Sequence, residues 1–261
     1  MLMVWHVKQI GKANIKNPVL IEGLPGMGNV GKIAVDFMID ALKAKKIYEL
    51  FSYDLPHCVF INKDNLMELP TINVYHKDIG KRSLLFLAGD IQPVSEHSCY
   101  EFCNMILDTF HKGSEMEIIT LGGIALQKIP KDPRIFCTGN SKSYMNKFQS
   151  DLVNTNIYGT VGPIIGVSGL LPGLAAKREI PAVALLAETF GHPNYLGVKG
   201  ARNLLKVLNK QLKLKVDIAE LDKEVESVEE ELINKSQNIE KITKIFKKNG
   251  DIGHKKADYI G

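Results

Sequence analysis

The residues best placed to do chemistry lie in one stretch, Pro18 to Ile33, PVLIEGLPGMGNVGKI. Gly26, Gly28 and Gly31 fit the G-x-G-x-x-G pattern of a dinucleotide site, and Gly26 to Lys32 fits G-x-x-x-x-G-K, the opening of a phosphate-cradling loop. In such loops, glycines bring backbone amides against phosphate and the lysine neutralises it. The next position must then be Ser or Thr, whose hydroxyl binds the magnesium bridging the phosphates; here it is Ile33. The dinucleotide pattern needs an acid ending the second strand about 20 residues further on. Asp54 stands near that spacing, but Leu55-Pro56 follows it and an aromatic run precedes it. Both signatures are incomplete, so the preferred reading is a turn whose glycines supply positive φ or close backbone approach, letting the next helix pack on the sheet. The alternative is an anion held at the helix N-terminus by Gly26, Gly28, Gly31 and Lys32, since free amides and the helix dipole attract one.

A second group of polar residues falls where strands are expected to end: Asp90 and Gln92, Gly122 and Gly123, and Glu188, Thr189 and His192. Ligands collect at such ends in open α/β sheets. Glu188 or Asp90 paired with His192 would form a proton-transferring pair, but no nucleophile, metal triad or paired carboxylate accompanies them. Glu188 and Thr189 are therefore expected to satisfy loop amides, with His192-Pro193 shaping a turn. The four cysteines are Cys58, Cys99, Cys103 and Cys137. Cys99 and Cys103 fall one helical turn apart with His97 nearby, yet a structural zinc site needs four convergent ligands, so they read as small buried residues. No catalytic residue, metal or cofactor is assigned, and the chain reads as a non-enzyme.

The elements that must position these residues alternate between strand and helix. Expected strands cover Val4 to Ile10, Val19 to Glu22, Ile47 to Ser52, Cys58 to Ile61, Ile72 to His76, Ser83 to Ala88, Met116 to Leu121, Arg134 to Thr138 and Ala182 to Ala187. Gly122-Gly123 is expected to stop one of them. Expected helices cover Asn29 to Lys43, Glu96 to His111 with Ser95 as cap, Lys142 to Asp151, Gly162 to Arg178 and Tyr195 to Leu212. In the second of these, Tyr100, Cys103, Ile106, Leu107 and Phe110 are expected on one buried face. Continuous apolar strands between helices predict an α/β fold with a mainly parallel central sheet covered on both faces. The strand-rich stretch between Ile47 and His76 reads as an antiparallel extension that covers an edge or meets another subunit.

Composition narrows the function classes. The 261 residues are 45% hydrophobic and 24% charged, an ordinary globular balance. Lys and Arg total 33 against 29 acids, a formal charge of +4 that predicts no nucleic-acid partner. No run is long and apolar enough for a membrane span, and MLMVWHVKQIGK is not a signal peptide, so a cytoplasmic location is expected. Three regions are expected: an α/β domain over residues 1–212, an amphipathic helical region over 213–249, and a tail over 250–261. In the second, Ile218, Leu221, Val225, Val228 and Leu232 step by three and four, a heptad seam with acidic neighbours; a basic continuation carries Ile239, Ile242 and Phe246. It forms one long helix or a hairpin, and its apolar stripe needs a partner surface.

The segments GLPGMGNVGK, GDIQP, TLGGIA and GPIIGVSGLLPGLAAKREIPAVALLAET, followed by the helical tail, come in an order that resembles the archaeal branch of the proteasome assembly chaperone family. The resemblance spans roughly Pro18 to Leu212 and rests on the ordered set, each motif alone being unspecific. It implies a nucleoside-phosphorylase-like α/β sandwich and an ATP-independent chaperone. Such a protein homo-oligomerises and binds proteasome α subunits, with a related chaperone as a further candidate partner. The family also docks through a C-terminal hydrophobic residue, Tyr and any residue. This chain departs from that device: in Tyr259-Ile260-Gly261 the tyrosine is third from the end, and Asp258 stands in the hydrophobic place. Partner-binding candidates are thus Tyr259, Ile260 and Gly261 together with the heptad residues Leu221, Val225, Val228 and Leu232. The competing reading is a nucleotide-binding or nucleoside-processing enzyme built on the turn at 23–32 and the loop at 188–192.

Overall fold

The structure is a computed structural model that describes residues 5–111, 115–159, 161–219, 221 and 223. The chain divides into a unit Met1–Ile218 and a unit Ala219–Gly261. Of the heptad and terminal candidates, Leu221 alone is described, with helical backbone; Val225, Val228, Leu232, Tyr259, Ile260 and Gly261 lie outside the described residues.

The first unit is built on a nine-stranded sheet in the order β1-β3-β6-β7-β2-β8-β11-β9-β10. Its strands are β1 (Trp5–Gln9), β2 (Val19–Glu22), β3 (Lys45–Ser52), β6 (Ile72–Ile79), β7 (Arg82–Gly89), β8 (Glu117–Leu126), β9 (Ile135–Gly139), β10 (Val153–Asn154) and β11 (Ala182–Phe190). A separate hairpin pairs β4 (Phe60–Ile61) with β5 (Met67–Glu68). The helices are α1 (Val30–Leu42), α2 (Glu96–Phe110), α3 (Lys142–Asn146), α4 (Val167–Ala176) and α5 (Val198–Leu212). Helix α1 packs with α5, and α2 with α4, against the sheet.

The sheet is mixed rather than mainly parallel. β2 with β7, β2 with β8, β8 with β11 and β9 with β10 are parallel; β1 with β3, β3 with β6, β6 with β7 and β9 with β11 are antiparallel. The reason lies in connection length. α1, α2 and α4 give the long crossovers that parallel neighbours need, whereas β6 and β7 are joined by a tight turn that only antiparallel strands allow. The parallel centre is the most apolar part: all four residues of β2 are buried, as are seven of the eight in β7. Burying each of Val19, Leu20 and Ile21 completely contributes about 1.5–3 kcal/mol.

Several boundaries differ from the sequence expectation, each for a packing reason. β8 runs through Gly122-Gly123 to Leu126 instead of stopping, because a Cβ on Gly123 would strike Met27 O and its absence lets the turn before α1 lie on the strand. β11 likewise extends to Phe190, placing Glu188 and Thr189 in a strand rather than a loop. α4 begins at Val167 and not at Gly162: Gly166 takes φ +83 and leaves the helical region. The polar segment after Ser141 helps form only the short α3. In α2 the cap is Ser95, whose Oγ accepts from Ser98 N at 3.1 Å. Its buried stripe is Cys99, Phe102, Cys103, Ile106, Leu107 and Phe110, and Tyr100 is half exposed, about 100° round the helix from Cys99.

Candidate functional site

β2, β8 and β11 lie side by side, and the glycine turn between β2 and α1 closes over their C-terminal ends. Its glycines are packed against protein. A Cβ on Gly31 would lie 2.5 Å from Leu121 O, one on Gly23 would strike Gly31 O, and one on Gly28, at φ +62, would strike Thr189 Oγ1. Gly26 alone among them faces open space. The turn's backbone is also bonded within the protein: Gly23 N donates to Leu87 O at 3.0 Å, Asn29 N to Gly26 O at 2.9 Å, and Gly28 O accepts from Gly197 N at 2.7 Å.

The lysine is committed as well. Lys32 Nζ donates to Gly89 O at 3.1 Å and pairs with Asp36 at 2.9 Å. The carboxylate beneath the turn is one that sequence reading passed over. Glu22, wholly buried at the end of β2, accepts from Leu24 N at 2.9 Å and from Ser168 Oγ at 3.0 Å. Burial pushes its pKa up to about 7, against the opposing pull of those two hydrogen bonds. The turn thus has a buried acid at its foot, between the end of β2 and the start of α4. Its only sequence signal is a charged residue closing an otherwise apolar strand. Asp54 follows β3, which is separated from β2 by β6 and β7, so it does not stand beside the turn as a ribose-binding acid must.

The other sequence candidates are spread rather than gathered. Glu188 accepts from Arg134 N and Arg134 Nε, both at 2.9 Å. Burial would raise its pKa, but the Arg134 amide and guanidinium outweigh that and hold it below the usual carboxylate range. It satisfies a backbone amide as expected, and an arginine in addition. Thr189 makes no such bond: its buried Oγ1 has no hydrogen-bond partner and packs against the Gly28 backbone. His192 shapes its turn by accepting from Asn194 N at 3.2 Å and through Tyr195 N donating to His192 O at 3.0 Å. Asp90 accepts from Thr71 N at 3.2 Å and Thr71 Oγ1 at 3.3 Å. Gln92 joins two of the family-like segments, donating to Pro25 O at 2.8 Å and accepting from Val167 N at 3.4 Å. Cys99 and Cys103 are buried in the core, where contact with Cys99 and burial drive the Cys103 thiol far up; His97 points outward to Glu101 at 3.2 Å. Among the described residues, no group of three or more His, Cys, Asp or Glu is placed to hold a metal ion.

What remains open is a cleft of about 1150 Å³ beside the turn. Its walls come from the turn, the start of α2, residues 121–125 of β8, and the segment 161–166 with the first turn of α4. Among the described residues, Glu96 is its one charged lining residue, and no Lys, Arg or His lines it.

A helix-covered mixed sheet with a filled glycine turn and an apolar cleft beside it defines an α/β protein that keeps the outline of a nucleotide loop while its lysine is paired elsewhere. The chain matches the PAC2 family over residues 20–235 and belongs to that family. An uncharacterized protein of Methanocaldococcus jannaschii is 34% identical over 236 residues, covering 88% of this chain and 91% of the relative. Among solved structures, Pyrococcus furiosus PbaB, an archaeal proteasome activator, is 31% identical with a TM-score of 0.82, covering 90% of this chain and 100% of PbaB. Pyrococcus furiosus PbaA, an archaeal homolog of proteasome-assembly chaperone, is 26% identical with a TM-score of 0.72, covering 93% of this chain and 97% of PbaA.

Proposed function

We propose that this chain is a non-enzymatic, ATP-independent PAC2 scaffold that associates with further copies of itself and binds proteasome α subunits as an assembly chaperone. The observation that carries the reading is the filled turn: Gly31 abuts Leu121 O, Lys32 is tied to Gly89 O and Asp36, and Glu22 lies buried beneath the turn, accepting from Leu24 N. The likeness in fold to PbaA and PbaB supplies the proteasome as the partner to test. Purified protein is expected to co-elute with proteasome α subunits, and deletion of residues 221–261 to weaken this. If the truncated chain binds equally well, the tail has no part. In titration calorimetry with ATP and magnesium, micromolar binding lost on Lys32→Ala would overturn the reading in favour of a nucleotide enzyme.

The hairpin β4–β5 supports self-association. Ile61 and Met67, opposite each other across the hairpin, are 72% and 78% exposed, and Val59, Phe60, Leu66 and Leu69 in or beside it are exposed as well. Directly opposed residues share one face of a strand pair, so Ile61 and Met67 offer a second copy an apolar strip to cover. Two strands alone are marginal in water. Ile61→Asp with Met67→Asp is expected to lower the mass measured by light scattering.

The likeness to PbaB favours a second reading, in which the chain activates finished proteasomes instead of assembling them. Peptidase activity of preassembled proteasome separates the two: stimulation on adding this protein selects activation, and faster assembly from free α subunits without stimulation selects chaperoning.

A further inference from the structure

The wall of the cleft is main chain. β2 pairs with β8 only from Val19 opposite Glu117 to Glu22 opposite Thr120, whereas β11 follows β8 from Ala182 opposite Ile118 to Phe190 opposite Leu126. From Leu121 onward, β8 therefore has a strand on one side only. On the other side Leu121 O accepts from Ser168 Oγ at 3.3 Å, and between Gly122 and Ala125 no backbone hydrogen bond to another element occupies the edge among the described residues. Residues 121–125 line the cleft in unbroken succession. A strand seen face-on shows alternate residues; a strand seen edge-on shows them all.

An unpaired edge is a row of N–H and C=O groups at strand spacing, and what such a row accepts is another extended backbone. Val94, Tyr100 and Ile165, which are 75%, 51% and 89% exposed, also line the cleft and offer apolar surface to alternate side chains of an incoming strand. The charge argues the same way. A phosphate would meet one carboxylate, Glu96, and no cation, whereas an apolar segment with a basic flank finds an opposite charge. The volume of about 1150 Å³ lies beyond the roughly 300–1,000 Å³ of small-molecule sites.

We propose that the cleft binds an extended, apolar peptide segment of a partner protein, added as a strand to the free edge of β8 at residues 121–126 with a basic flank toward Glu96. This goes beyond the proteasome reading, and its test contains no α subunit, so either can fail alone.

The test uses the full chain and a fluorescein-labelled eight-residue peptide of alternating valine and threonine ending in lysine. A second peptide ends in glutamate. Two more carry N-methyl groups on the odd or on the even backbone nitrogens. The lysine peptide is expected to bind saturably by fluorescence anisotropy and to slow amide exchange at Gly123 and Ala125, whose N–H groups face the free edge in the alternation set by Glu117 N toward Pro18 and Ile118 N toward Pro181. The glutamate peptide is expected to bind several-fold more weakly. An added strand uses only one of its edges, so one N-methylated form is expected to lose roughly tenfold or more in affinity while the other keeps it. Val94→Glu with Ile165→Glu, changes at exposed positions that spare the core, are expected to weaken binding by a similar factor. Equal binding of both N-methylated forms and the parent, no added protection at Gly123 and Ala125, or no saturable binding by the lysine peptide would each overturn the proposal.

Discussion

Replacing Glu22 by Gln separates a buried charge from the hydrogen bonds around it. In the folded chain the carboxyl is wholly buried and its pKa rises from an ordinary 4.5 to about 7, chiefly through burial. Below pH 4.5 the group is protonated in the folded and unfolded chains alike and favours neither. Between about 4.5 and 7 the folded chain holds a proton that the unfolded chain has released, so stability falls as pH rises through this window. Above it both forms are ionised, and the folded chain carries the whole cost of the buried charge, about 3 kcal/mol for a shift of this size. Gln has no charge to bury and keeps an acceptor for Leu24 N. Ser168 can then accept from the new amide and donate its proton to Leu121 O, 3.3 Å away. Urea unfolding of both proteins at pH 5 and pH 8 is the assay. Glu22→Gln is expected to be more stable by less than about 1 kcal/mol at pH 5 and by about 3 kcal/mol at pH 8. A difference that stays constant from pH 5 to pH 8 refutes the account.

Other outcomes follow from neighbouring contacts. Gly31→Ala forces a methyl against the Leu121 carbonyl and is expected to cost about 1–3 kcal/mol in denaturant unfolding. Gly26→Ala, with nothing in the way of its Cβ, is expected to change stability by less than about 0.5 kcal/mol; equal losses at both positions would contradict the packing role assigned to the turn. Arg134→Ala removes the guanidinium that helps to hold the Glu188 pKa low and leaves the backbone amide of residue 134 in place. The pairing contributes stability that is present above the ordinary carboxylate pKa and lost as pH falls through the depressed one. The variant is therefore expected to melt lower at pH 7 while the gap closes toward pH 3 in a thermal scan. In exchange experiments without any ligand, amides of β2 and β7 are expected to be the slowest of the chain, since both strands are covered on each edge and each face.

Much of the fold was legible because its signals are local. β2 is an unbroken apolar run, Ser95 caps α2 at the expected residue, and the spacing of apolar positions located α1 and α5. The ordered motifs pointed to the right family. Less local features were not readable. The antiparallel pairing of β3 with β6 was expected for the stretch between Ile47 and His76, but that of β9 with β11 was not, because parallel and antiparallel neighbours have the same apolar composition once both faces are covered. Tyr100 was misplaced because a helix periodicity admits a one-residue rotation, which the partners Trp5 and Phe102 resolve, their rings 4.6 Å apart.

The glycine turn marks the boundary most clearly. From the residues alone came the conclusion that Ile33 breaks the phosphate pattern and that the glycines must serve close approach, because that depends only on residue chemistry and spacing. Tertiary structure decided what they approach: Leu121 from one strand, Thr189 from another, and Met27 laid on Gly123. It also decided that Lys32 is spent on Gly89 and Asp36, that Glu22 lies buried beneath the turn, and that β8 outruns β2 to leave an edge exposed. Each of these depends on where distant segments end relative to one another. A sequence fixes the groups a residue can offer, but only packing determines which group meets it and whether water is left between them.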